Sequence, residues 1–132
     1  MAHDSSIMSK AIIISNSNEL VRVPAERVVY ISSDGNYSTL VLHNETRLVF
    51  TMNLACFLKL LVQQLGTEAQ MFIRVGKQLI INREYIYKIN PNKQQLVLAD
   101  MDLNHTFEFT PSREALRLLK EFLESELKEV KP

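Results

Sequence analysis

The sequence predicts a β-dominated α+β domain with one inserted helix and one C-terminal helix. Three observations carry this reading. Short apolar or alternating runs recur along most of the chain, each bounded by turn-forming residues, and such runs are strands. In two windows, Leu54 to Leu65 and Leu116 to Val130, the apolar spacing changes to three and four, the period of a helix face. The chain has 132 residues, one domain's length and enough to bury a core.

Residues 1–9 are polar and are expected to be a disordered tail, with the domain spanning residues 10–130. Ala11 to Ser15 reads as a strand, Asn16-Ser17-Asn18 as a turn and Glu19 to Val23 as the returning strand, ended by Pro24. Val28 to Ile31 is apolar throughout and reads as a buried strand. Ser32 to Asn36 is a dense turn signal, Tyr37 to Leu42 alternates as a strand, and Arg47 to Phe50 returns it. The first helix repeats Leu54, Phe57, Leu58, Leu61, Val62 and Leu65; Asn53 fits its N-cap and Gly66 its stop. Strands resume at Phe72–Val75, Leu79–Ile81, Tyr85–Ile89, Leu96–Leu98 and Thr106–Phe109. Thr110 and Pro111 are expected to cap and open the last helix, whose apolar positions are Leu116, Leu119, Leu123, Leu127 and Val130. No repeat, low-complexity tract or internal linker interrupts this order.

The stretch from Met71 to Ile89 says most about function. An apolar strand carrying Arg74 breaks at Gly76-Lys77-Gln78 and resumes as Leu79-Ile80-Ile81. A basic and amide-bearing knuckle between two buried runs holds its side chains on a rigid edge. That suits reading a polyanion better than bond chemistry. Net charge is zero, 15 basic against 15 acidic residues. Nucleic-acid-binding domains often carry a positive balance, so a nucleic-acid reading requires the acids to be segregated on another face.

Enzyme classes find little support. His3, His43 and His105 fall in the tail and in two turns without metal-ligand spacing. There is no phosphate-cradling glycine loop, nucleophile elbow or carboxylate pair in an apolar run. No catalytic residue, metal or cofactor is expected. The single cysteine, Cys56, excludes an internal disulfide and is read as a packing residue of the first helix. No window is long and apolar enough to cross a membrane, and the start lacks the pattern of a secretory signal, so the expected location is cytoplasmic.

The order of elements and several residue patterns resemble the LytTR domain, the DNA-binding output domain of LytR/AgrA-type bacterial response regulators. The resemblance covers about residues 10–127. It is carried by Val28 to Tyr37 with its Gly35-Asn36-Tyr37, by Phe50 to Leu54, by Phe72-Ile73-Arg74-Val75 followed by Leu79-Ile80-Ile81-Asn82 and Ile86, and by Phe109 to Arg113. Gly76-Lys77-Gln78 departs from the family's usual His-Arg-Ser; lysine keeps the charge but loses the bidentate fork of arginine. These residues encode no receiver half with a phosphoacceptor aspartate. As they stand the expectation is a freestanding LytTR protein, the other case being a longer protein whose sensor lies elsewhere.

The resemblance implies elongated antiparallel β-sheets whose loops lie against one face of double-stranded DNA, two copies on a direct repeat. It places Asn36, Tyr37 and Ser38, Asn53, and Arg113 at the DNA. Arginine can bridge guanine O6 and N7, and asparagine can pair with adenine, so both suit base readout. Arg74, Lys77 and Lys88, with Gln78 in the same knuckle, suit contacts that position the phosphate backbone. Each position also has a purely structural reading. Asn53 is a natural N-cap, Arg74 an outward strand residue, Lys77 and Gln78 a solvated turn, Tyr37 a half-buried strand aromatic, and Asn82 an Asx-turn residue. A second functional reading is a LytTR-like protein-interaction module with weakened DNA contact, its last helix docking a homodimer copy or an inhibitory protein partner. Cations around Asn36, Asn53, Lys77 and Arg113 favour DNA; acids there favour protein.

Overall fold

The computed structural model describes residues 10–127. The expected tail, Val130 and the end of the last charged run lie outside the described residues. β1 (Ala11–Ser15) and β2 (Leu20–Pro24) form an antiparallel hairpin. Asn16 closes its turn, its side-chain oxygen accepting from the Asn18 and Glu19 amides at 2.7 and 2.9 Å. β3 (Val28–Asp34), β4 (Tyr37–Leu42), β5 (Arg47–Phe50), β6 (Phe72–Val75) and β7 (Leu79–Asn82) form a five-stranded sheet in the order β5-β4-β3-β7-β6, every pair antiparallel. β8 (Ile86–Asn90), β9 (Gln95–Ala99) and β10 (Thr106–Phe109) form a three-stranded antiparallel sheet in the order β10-β9-β8. Helix α1 (Leu54–Leu65) is inserted between β5 and β6, and α2 (Arg113–Ser125) ends the fold.

The central strands β3 and β7 are buried on both faces over most of their length, which is why they read as apolar runs, whereas the edge strand β5 leaves Val49 63% exposed. Ile31 pairs with Leu40 and Ile80 and shares one face with them; Tyr30 pairs with Val41 and Ile81 and shares the other. The first face packs against Ile12 and Ile14 of the hairpin and Leu54, Phe57, Leu61 and Leu65 of α1. The second packs against Leu96 and Leu98 of β9 and Leu116 and Leu119 of α2. Each fully buried leucine or isoleucine contributes about 1.5–3 kcal/mol, so the two cores clamp the sheet between them. Tyr30 meets Phe107 and Phe109 edge-on, at centroid distances of 5.7 and 4.7 Å, and so seats β10 on the second face. A bulge between Val28 and Tyr30 breaks the alternation of β3, so that the consecutive residues Val29 and Tyr30 both pack in the second core while Val28 and Ile31 pack in the first.

Asn82 is completely buried. Its oxygen accepts from the Glu84 amide at 3.0 Å, the expected Asx-turn, and its amide donates to the Val28 carbonyl at 2.9 Å, bracing the bulge. Asn53 caps α1, accepting from the Cys56 amide at 2.8 Å, and Gly66 stops it with φ +61°. Two local expectations are corrected. Cys56 is exposed, because it falls between the inward positions Leu54 and Phe57. α2 is capped by Ser112, which accepts from the Ala115 amide at 3.1 Å, and not by Thr110. Pro111 stays outside the helix, its carbonyl accepting from the Gln94 side chain at 3.3 Å.

Candidate nucleic-acid interface

Because every pair in the five-stranded sheet is antiparallel, one of its ends collects three connections. They are the β3–β4 turn (Gly35, Asn36), the β5–α1 connection (Thr51 to Asn53) and the β6–β7 turn (Gly76 to Gln78). Hydrogen bonds tie them together. The Ser33 amide donates to the Gln78 carbonyl at 2.9 Å, joining the first turn to the third. The Ser38 hydroxyl donates to the Met52 carbonyl at 2.6 Å, joining the start of β4 to the start of α1. A cleft of about 590 Å³ between the β6–β7 turn and Pro111-Ser112 brings in the beginning of α2. The Gln94–Pro111 bond adds the β8–β9 turn.

The sequence-predicted residues fall into this frame unequally. Asn36 and Tyr37 are exposed on the β3–β4 turn, Tyr37 by 54% and so not half-buried as its strand pattern allowed. Asn53 is exposed while its side chain caps α1. Lys77 and Gln78 are exposed beyond Gly76, whose φ of +68° makes the tight β6–β7 turn. Arg74 is exposed, and one terminal nitrogen donates to the Lys77 carbonyl at 3.0 Å, holding that turn in place. Arg113 is the first residue of α2 and is exposed.

Ser38 requires a correction. It is fully buried and its hydroxyl is engaged by Met52, so it holds the loop rather than facing a ligand. Lys88 does not join the cluster at the tip. It sits mid-strand opposite Val97, two residues before β8 ends, or roughly 7 Å back at the usual strand rise. Lys93, in the β8–β9 turn, is exposed at the tip instead, a residue that sequence reasoning passed over. The signal was there: a lysine directly after a Pro-Asn turn between two strands.

Cations dominate this end. Arg74, Lys77, Lys93 and Arg113 are exposed there against Asp34 and Glu114. Among the described residues, the side chains of Lys77, Lys93 and Arg113 have no hydrogen-bond or ion-pair partner. Arg113 opposes the positive end of the α2 dipole, so helix stability does not account for it.

The sequence matches the family model of the LytTr DNA-binding domain over residues 18–124. The chain belongs to the LytTR family. Among solved structures it is similar to one described as the LytTr DNA-binding domain of a methyl-accepting/DNA response regulator from Bacillus cereus. The identity is 17%, the match covers 87% of this chain and 97% of that one, and the TM-score is 0.59, a likeness of fold. No curated protein matches the sequence. Membership makes this LytTR chain a domain of a DNA-binding regulator family rather than of an enzyme family. Among its described residues no helix is long and apolar enough to cross a membrane.

The opposite end of this LytTR domain is chemically different. A Glu45 carboxylate oxygen lies 3.4 Å from the His105 Nδ1, and the Arg27 guanidinium lies 3.1 Å from the His43 ring. The Tyr85 hydroxyl donates to the Glu26 carbonyl at 2.7 Å. Burial raises its pKa; Arg27 lowers it in part, and Glu26 and Asp100 raise it further.

Proposed function

We propose that this LytTR domain binds double-stranded DNA sequence-specifically through the loop end of its five-stranded sheet, two copies occupying a direct repeat. The observation that supports this most is the convergence of Asn36, Asn53, Lys77 and Arg113 on one end of the five-stranded sheet, with unpaired cations there in excess over acids. Acidic side chains at this end would have favoured the protein-interaction module. Arg113 is the base reader: a pre-formed helix start aims it, and its fork can grip one guanine. Asn53 and Asn36 offer amides to neighbouring bases, Asn53 while its oxygen caps α1. Lys77 and Lys93 position phosphates, and Lys88 reaches phosphate from the flank of β8. Arg74 and Gln78 support the β6–β7 turn and offer their remaining donors to the backbone.

Titration of duplex DNA from upstream of its own coding region, at two salt concentrations, tests this reading. Affinity should fall steeply with salt, because phosphate contacts by lysine and arginine release counterions. Arg113→Ala should cost about 1–3 kcal/mol on the cognate site and relax discrimination at one base pair. Lys77→Ala should weaken cognate and scrambled duplexes alike and lower the salt slope by about one. An affinity indifferent to salt would remove the case for DNA. Equal losses by Arg113→Ala on both duplexes would make its contact one to phosphate.

A further inference from the structure

We propose that the cleft at the end of the molecule remote from the DNA-facing loops is a docking groove for a basic amphipathic helix of a protein partner. The cleft measures about 810 Å³ and lies between the β2–β3 turn, the β7–β8 turn and the β9–β10 loop. Three large apolar side chains on its wall stand in solvent: Tyr87 at 60%, Met101 at 95% and Leu103 at 54% exposure. Clustered exposed apolar groups beside a groove mark an interaction surface, where single scattered ones mean nothing.

The loop that presents Met101 and Leu103 is held in shape. The Asp100 carboxylate accepts from the Asn104 and His105 amides at 2.7 and 3.2 Å, and the Asp100 carbonyl accepts from the Leu103 amide at 3.0 Å. Leu103 adopts φ +59°, a left-handed conformation that costs energy for a residue with a Cβ. A loop strained and braced so as to expose its methionine is a preformed contact, and binding through it costs little ordering entropy.

Charge complementarity specifies the occupant. The groove's ionised rim comprises the carboxylates Glu26, Glu84, Asp100 and Asp102 against one guanidinium, Arg27. A ligand that buries its apolar face on Met101 and Leu103 therefore gains most if lysines or arginines flank that face. Strand addition is disfavoured, since the neighbouring edge strand β8 carries a bulge between Ile86 and Lys88 and the Lys88 charge itself. A helix laid in the groove can put one apolar face on Met101 and Leu103 while basic residues on its flanks meet the carboxylates. The two ends of the sheet are separate, so the partner and DNA can be held together.

The test uses the full chain and a fluorescein-labelled helical peptide of leucine and lysine, with a leucine–glutamate peptide as control. The basic peptide should bind saturably and the acidic one should not. Met101→Ser leaves the core untouched, because this side chain is almost wholly in solvent, and should weaken the peptide at least about tenfold, the value of losing one buried thioether. Asp102→Lys should weaken it as well, and both variants should keep the parent's DNA affinity, so that failure here is distinct from failure of the DNA reading. Equal binding of both peptides, or unchanged binding by Met101→Ser, overturns the proposal. Self-association of the chain that Met101→Ser abolishes would assign the groove to a second copy and overturn it too.

Discussion

Replacing Ser38 by alanine separates two roles that the sequence alone could not tell apart. Its hydroxyl is fully buried and donates to the Met52 carbonyl at 2.6 Å, the link between β4 and the start of α1. Ser38→Ala removes the donor and leaves that carbonyl without its partner. Stranding a buried acceptor costs about 1–3 kcal/mol; Met52 is only half-buried, so water recovers part of the loss and about 1–2 kcal/mol is expected. For a domain of this size that lowers Tm by roughly 4–8 °C. Urea titration should show a lower midpoint at unchanged slope, which marks a change in stability rather than in compactness. DNA affinity should fall only modestly, through loosened placement of Asn53. Unchanged stability with a sharp loss of DNA affinity would refute the burial argument and return Ser38 to the set of direct contacts.

Leu119→Ala should destabilise by about 2–5 kcal/mol, because Leu119 closes the second core and leaves a cavity; a loss under about 0.5 kcal/mol in urea would mean that α2 is not docked. Tyr85 gives an alkaline signature. Its pKa is raised above the ordinary phenol value of about 10, so its contribution is complete below that pH and is lost as pH rises through the raised folded value. Urea midpoints measured from neutral pH upward should therefore fall at the alkaline end, and less so in Tyr85→Phe; an identical alkaline loss in that variant would assign the effect to other groups.

Most of the fold was legible because its strands and helices are amphipathic at their own periods. Val28 to Ile31 read as buried because both faces of β3 are covered, and α1 was bounded correctly by Asn53 and Gly66, whose roles are local. The misreadings arise where a distant contact decides. Thr110-Pro111 has the local form of a cap and first turn, yet the Gln94 side chain holds the Pro111 carbonyl outside the helix and Ser112 takes the cap. Ser38 shares its face with Leu40 by the strand period of two, and the sequence does not show that the β5–α1 connection covers that face and takes its hydroxyl through Met52. Lys93 follows a Pro-Asn turn in the sequence, but only the Gln94–Pro111 contact places that turn at the same end as Arg113. The family pattern singles out Arg113, which stands exposed as the first residue of α2.

The zero net charge, which spoke against nucleic acid in the sequence, is compatible with a cationic end because the charges are segregated along the sheet. With one side packed on the hairpin and α1 and the other on the second sheet and α2, the central strands β3 and β7 have no free face. Antiparallel pairing sends alternate connections to opposite ends, so the chain can place Lys77, Lys93 and Arg113 at one and Glu26, Glu84 and Asp102 at the other while their charges cancel in the total. Short screening lengths make this separation effective: about 8 Å at physiological ionic strength, against four-residue strands spanning roughly 13 Å. A duplex bound at the cationic end, as proposed, would feel little of the acids behind it. Moving one of those acids forward, rather than changing the total, is what would weaken DNA binding in this fold.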